Sequence, residues 1–372
     1  MRRVVTASFA ISDDGVVIDS SLAPAPLGVA PIPPSPRSVV LSLSGMVTAA
    51  LIAALALVPL PYTIDKPGPT FNMFDDLGGF TLLSVDGVET YPPSGELRLT
   101  TVAVQGGPGS RPGFGATLRA WLSSTATVVP EFTYSGEGSI KQQWITSQEM
   151  ATVAALSHQG IEVPVIVTVV EIEPTSNALG LLREGDVIVA VNDTVVTTYD
   201  DLDGVFDRLT PGDSVAIVVS RALGEETVAF ETIDNGYGRA IMGIWIDPEF
   251  LFPFRVAVGI DNVGGPSGGA MFALGIVDLL TPEDELHGEK VAGTGTIDLE
   301  GNIGPIGGIW LKMAGAAEAG SQWFLAPESN CPGVRGKVPD GLTVVSVSTL
   351  DEAYDAMVAI GAGDTDSLPS CA

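Results

Sequence analysis

The chain has 372 residues, 45% of them hydrophobic, with 45 Asp and Glu against 17 Lys and Arg, giving a formal net charge of −28. The length leaves room for two or three domains with real cores, and the charge argues against nucleic acid or an anionic membrane surface as the main partner. His158, His287, Cys331 and Cys371 are the only histidines and cysteines, which excludes a His-rich or CxxC metal site, so neither a metal nor a cofactor is expected.

Residues 1–37 are rich in proline and poor in aromatics and read as a disordered cytoplasmic tail. Between Arg37 and Asp65 there is no charged residue, and Val39 to Leu60 would span about 33 Å as a helix. Residues 38–62 are therefore expected to be a transmembrane anchor. A cleaved signal peptide is the rival reading, but its apolar region should be shorter and followed by small residues, and Leu57-Val-Pro-Leu-Pro-Tyr62 follows instead. Arg2, Arg3 and Arg37 precede the span and only Lys66 follows closely, which predicts a single-pass protein of the cell membrane with a cytoplasmic N-terminus and an extracytoplasmic bulk. In an oxidising compartment Cys331 and Cys371 could pair, the alternative being two unrelated thiols.

Residues 63–160 read as an extracytoplasmic α/β segment. Glu96 to Val104 alternates like a strand, and Thr146 to Leu156 reads as a helix capped by Thr146 or Ser147. Residues 161–235 form a β-rich unit. Val163 to Ile172 is a strand, Asn177 to Leu182 a short helix, and Gly185-Asp-Val-Ile-Val-Ala-Val-Asn192 a turn entering a strand. Tyr199 to Leu209 is an amphipathic helix and Ser214 to Arg221 another strand. The string Ala178-Leu-Gly-Leu-Leu-Arg-Glu-Gly-Asp-Val-Ile-Val-Ala-Val-Asn-Asp193 resembles PDZ domains, which implies binding of extended peptides along a sheet edge. Asp186 and Asn192 read as turn residues.

From residue 243 to 362 strands and helices alternate, an α/β pattern, with a C-terminal tail over 363–372. The strands are Phe254 to Ile260, Val291 to Leu299, Trp323 to Ala326 and Leu342 to Val347. The helices are Ser267 to Leu280, Leu311 to Ala319, and Thr349 to Ile360 with Thr349 as its cap.

Ser267 stands on a turn bracketed by Gly264, Gly265, Gly268 and Gly269, at the start of one of these helices. Unpaired amides there, around Gly265, Pro266 and Gly268, could hold an oxyanion. By itself the serine reads equally as a helix cap. Lys312 lies among Ile306, Ile309, Trp310, Leu311 and Met313, and no acidic residue follows until Glu318. Burial there would lower its pKa from roughly 10.4, which a general base requires. By itself it reads equally as a lysine reaching from a helix to solvent. His158 and His287 sit in polar surroundings and read as loop residues.

The two motifs together are more specific. Gly265-Pro-Ser-Gly-Gly-Ala270, followed by Thr294-Gly295 and by Pro305-Ile-Gly-Gly308 leading to Lys312, resembles the proteolytic domain of Lon proteases. The resemblance implies that Ser267 is the nucleophile, Lys312 its base, and Thr294 the residue that orients the lysine. Gly268 replaces the family's alanine, Thr296 its glutamate, and Ile309-Trp-Leu lacks its first lysine. No Walker-type phosphate loop occurs, so an ATPase motor is not expected. The full order of anchor, PDZ unit and Lon-like domain resembles bacterial membrane-anchored PDZ–Lon-like proteases. That implies an ATP-independent serine endopeptidase acting on polypeptide substrates, with the PDZ unit recruiting or positioning them. The resemblance also implies a homo-oligomer, by analogy a hexameric ring. A membrane-tethered PDZ scaffold without activity is the alternative.

Overall fold

The computed structural model describes residues 35–75, 81–107, 110–131, 137–259 and 264–371. The tail expected over residues 1–37 lies, apart from its last three residues, outside them. The chain divides between Leu55 and Ala56 into two units.

Helix α1 (Pro36–Ala56) accounts, up to Leu55, for all of the described part of the first unit except Ser35. Its 21 residues include one charged side chain, Arg37, and none is buried. It is long and apolar enough to cross a membrane. The expected span of 38–62 is too long at its C-terminal end. Pro59 and Pro61 cannot donate backbone hydrogen bonds and disfavour helix in the residues before them. The helix stops at Ala56, and Tyr62 already opens a strand.

The second unit begins with β1 (Tyr62–Asn72), β2 (Leu83–Asp86), β3 (Glu96–Gly106), α2 (Phe114–Trp121), β4 (Thr127–Pro130) and α3 (Glu137–His158). A β-rich run follows: β5 (Val165–Ile172), β6 (Val187–Val191), β7 (Thr194–Val195), α4 (Tyr199–Phe206), β8 (Ser214–Arg221), β9 (Gly224–Glu231), β10 (Ile233–Asp234), β11 (Ala240–Ile241) and β12 (Ile244–Phe250). The chain then returns through β13 (Arg255–Val258), α5 (Gly269–Leu280), β14 (Lys290–Gly293), β15 (Thr296–Ile297) and β16 (Ile303–Gly304). It closes with α6 (Ile309–Glu318), β17 (Trp323–Pro327), α7 (Cys331–Val334), β18 (Thr343–Val347) and α8 (Leu350–Ala362).

The main sheet has the order β18-β17-β14-β3-β1-β4. β14 runs parallel to both β17 and β3, and β1 runs antiparallel to β3 and β4. Residues 63–160 are thus not a segment apart: they supply three strands of the sheet on which the Ser267 and Lys312 helices rest. Alternation places Leu97 and Leu99 of β3 in the core, where they meet the continuously buried α5. β2 pairs with β13, so the chain entering the Ser267 turn is tied to the first half of the unit.

The intervening β-rich run forms its own sheet, β12-β5-β6-β8-β9, over a separate apolar cluster. Its edge strand β12 lies beyond the expected 161–235 boundary. Ile244, Ile246 and Phe250 of β12 pack against the same cluster as Leu202 and Val205 of α4. The short helix expected over Asn177 to Leu182 is a set of turns, because Gly180 adopts φ +81° and interrupts it. Asp186 is a turn residue that accepts from the Arg183 N–H and pairs with Arg221, which holds its carboxyl below the usual range.

Helix α3 is continuous from Glu137, so neither Thr146 nor Ser147 caps it. α8 is capped by Thr349, whose hydroxyl accepts from the Glu352 N–H. Cys331 and Cys371 are joined in a disulfide, Cα–Cα 4.8 Å. Beside it the Ser346 N–H of β18 donates to the carbonyl of Pro369, which fastens the C-terminal residues along that strand.

Candidate active site

Ser267 enters on a turn that only glycine makes comfortably. Gly265 adopts φ +83° and ψ 162°, and Pro266–Gly268 form one 3-10 turn that runs into α5. The turn is held from three sides. Ser147 of α3 donates its hydroxyl to the Pro266 carbonyl at 3.1 Å, and Gly295 N–H and the Thr294 hydroxyl both donate to the Ser267 carbonyl, at 3.0 and 2.8 Å. The first N–H groups of a helical run have no partner within it, which leaves those of Ser267 and Gly268 placed to receive negative charge. Of the expected oxyanion residues, Pro266 is corrected: it has no N–H, and its carbonyl serves as the acceptor for Ser147.

Lys312 comes from α6. Gly308, at φ +68° and tight against Val102 of β3, starts this helix in a left-handed conformation. Lys312 is therefore on the helix's first turn, facing inward with Ile309, Met313 and Ala316. Only 3% of it is exposed. Burial drives its pKa down from 10.5 to about 7, and no carboxylate contributes to the shift. Its Nζ is 2.8 Å from Ser267 Oγ and 2.8 Å from Thr294 Oγ1.

The hydrogen count at these three groups is informative. Thr294 has one hydroxyl hydrogen, and it is directed to the Ser267 carbonyl. Its oxygen must therefore accept from Lys312 Nζ. In a neutral amine this uses an N–H and leaves the nitrogen lone pair free for the Ser267 hydroxyl proton. The arrangement can thus take a proton from Ser267 without a histidine or a metal. His158, expected in a loop, ends helix α3 and pairs with Asp351 at 2.6 Å, while His287 sits in a turn at φ +46°. Neither is a hydrogen-bond partner of Ser267 among the described residues.

Replacing Thr294 by valine is expected to lower kcat about 10–100-fold with KM little changed, because the amine loses the acceptor that aims it. Thr294→Ser should recover most of the rate. A serine variant as slow as the valine variant would count against this orientation.

Ser147 is the one contributor that the sequence does not announce. It resembles a helix cap locally, and its contact with Pro266 joins residues 119 positions apart.

Comparison with known proteins finds two matching stretches. Residues 255–359 match the Lon protease C-terminal proteolytic domain and residues 146–232 match the PDZ domain. The chain is similar to the Lon protease of Rickettsia felis, 35% identical over 107 residues, covering 28% of this chain and 14% of that protein. It is similar to Lon protease 1 of Bacillus subtilis, 32% identical over 117 residues, covering 30% of this chain and 15% of that protein. The chain thus spans about one seventh of the length of these relatives, and the likeness is to one segment of them. Among solved structures, it is similar to the PDZ domain of the SdrC-like protein from Listeria monocytogenes, at 20% identity and a TM-score of 0.20, covering 22% of this chain and 85% of that one. The PDZ match stops short of β12, which the structure adds to the same sheet. Two stretches of the chain thus match domain models, first that of the PDZ domain and after it that of the Lon protease C-terminal proteolytic domain.

Proposed function

We propose that the protein is an ATP-independent serine endopeptidase, anchored in a membrane through α1, in which Ser267 and Lys312 form the catalytic dyad. The observation that carries this reading is the 2.8 Å contact between a buried lysine amine and the hydroxyl of a serine at a helix start. Neutral Lys312 takes the Ser267 proton as Oγ attacks the peptide carbonyl carbon. The carbonyl oxygen becomes an oxyanion held by the N–H groups of Ser267 and Gly268. As the C–N bond breaks, the Lys312 ammonium returns the proton to the leaving amine, and an ester on Ser267 remains. Lys312 then takes a proton from water, whose oxygen attacks the ester; the proton returns to Ser267 Oγ and a carboxylic acid leaves.

The PDZ domain supplies a place for an extended segment. The outer edge of β12 has no strand beside it among the described residues, and its inward residues share an apolar cluster with α4. The bulk of the protein then faces an oxidising, extracytoplasmic compartment, which fits the Cys331–Cys371 bridge.

A serine-directed phosphonate probe should label the wild-type chain and leave Ser267→Ala unlabelled, with peptide cleavage lost in parallel. Equal labelling of both forms would assign the chemistry to another residue. A wild-type chain that is neither labelled nor able to cleave unfolded polypeptides would favour an inactive scaffold.

A further inference from the structure

We propose that helix α2 lies on the bilayer surface, its outward apolar residues inserted at the headgroup–acyl boundary beside the point where α1 leaves the membrane. This inference rests on the reading of α1 as a membrane helix and adds a second attachment to it.

The sidedness of α2 runs against the ordinary rule. Its inward face carries the small residues Thr117 and Ala120, which are buried. Phe114 is half-buried, and the large apolar residues after it point outward: Leu118 is 41% exposed, Trp121 55%, and Leu122, at its end, 81%. These three recur at the spacing of one helical face, so they form a stripe rather than scattered positions. A tryptophan flanked by leucines, with a tyrosine beside it, suits the boundary between water and hydrocarbon. Trp121 stands edge-on to Tyr62, ring centroids 5.8 Å apart.

The occupant follows from where the chain places this stripe. α1 ends at Ala56, and two residues later the Val58 carbonyl accepts from the Phe114 N–H at 2.8 Å. The Leu60 N–H donates to Pro112 at 2.9 Å. The start of α2 is therefore fastened to the first residues after the apolar helix, which are themselves exposed apolar side chains, Leu57 and Val58. An extended chain advances only about 3.3 Å per residue, so α2 is not free to move away from that exit.

Charge agrees. In a chain with 45 acidic residues, none occurs from Leu97 to Pro130, whereas Arg98, Arg111 and Arg119 do. Arg98 and Arg111 pair with Glu96 and Glu131; Arg119 has no ion-pair partner among the described residues and is available to a lipid phosphate. This stretch therefore adds no negative charge of its own.

The test uses the full chain in phosphatidylcholine vesicles carrying bromine at either shallow or deep acyl positions. The Trp121 signal is the difference in emission between wild type and Trp121→Phe, the other four tryptophans being common to both. Flotation with the vesicles establishes the anchor. The expected result is strong quenching of the difference signal by shallow bromines, weaker quenching by deep ones, and a several-fold loss of quenching in the Leu118→Glu, Leu122→Glu variant. A chain that floats while Trp121 is unquenched overturns the proposal and leaves the anchor standing. Shielding of Trp121 from acrylamide without bromine quenching would also overturn it, since the stripe would then be covered by protein, including a second copy. A chain that does not float removes the anchor and this proposal with it.

Discussion

Lys312→Met is expected to lower peptide hydrolysis by about 10³-fold or more while making the protein more stable. The two effects have one cause. Burial that lowers the lysine pKa from 10.5 to about 7 corresponds to about 5 kcal/mol against the charged form. Methionine has nearly the same length and carries no charge to bury. It forfeits the hydrogen bonds to Ser267 and Thr294, so the net gain at pH 6 should be nearer ~2 kcal/mol.

The sign of the pH dependence follows from the direction of the shift. The unfolded chain holds the Lys312 proton up to its ordinary pKa, and the folded chain releases it near 7. Wild-type stability from this group therefore rises between about pH 7 and 10.5 and is lowest below 7. The advantage of Lys312→Met should be greatest below pH 7 and fade towards 10.5. Wild-type kcat/KM should rise about tenfold per pH unit below 7 and level off above it, as the neutral amine becomes the dominant form. Thermal unfolding of both proteins across this range, with rate profiles of the wild type, checks each part. A flat rate profile from pH 5 to 9 would sink the neutral-lysine mechanism.

Asp278→Asn is expected to stabilise the protein more at alkaline than at acidic pH. Asp278 sits in the last turn of α5, 1% exposed, and neither carboxylate oxygen has a hydrogen-bond partner among the described residues. Burial, then Glu285 and Asp284, push its pKa up to about 7. The C-terminal end of a helix adds no relief for a negative charge. Nearby Glu285 accepts from the Tyr354 hydroxyl, so the proton that the site lacks is not supplied from there.

Here the folded form binds the proton more tightly than the unfolded one. Stability from Asp278 is complete below pH 3.8 and is lost as pH rises through 7. The amide removes that loss, and the gain at pH 8.5 should exceed the gain at pH 5 by about 3 kcal/mol. Urea unfolding at both values measures the difference. Equal increments would mean that Asp278 is already ionised in the folded protein at pH 5.

Much of the site was legible because its signals are local. Glycine spacing around Ser267, the Pro-Ile-Gly-Gly run before Lys312, and the apolar neighbours of Lys312 are all short-range patterns. So is the Thr349 cap of α8, which needs only its own first turn. The expectations that changed involve partners distant in the chain. Residues 63–160 looked separate because nothing in β3 names β14 as its neighbour, although Glu96 stands beside Lys290. β12 looked like the start of the 243–362 domain because a sheet edge is defined by the strand it joins, here β5. Ser147 looked like a cap because Ser is a capping residue, and helix α3 simply begins earlier.

By itself the sequence determined the identities of the groups, the turn that a glycine-rich segment forces before Ser267, and the apolar lining on Lys312's own helix. Only the tertiary structure decided whether Ser267, Thr294 and Lys312 meet. Parallel pairing of β14 with β3 sets Thr294 at the strand's end, packing of α6 on β1 and β3 buries Lys312, and α3 holds the Pro266 carbonyl. Removal of the amine from water lowers its proton affinity, and no local pattern can fix that burial, because the surfaces that exclude the water come from several remote parts of the chain.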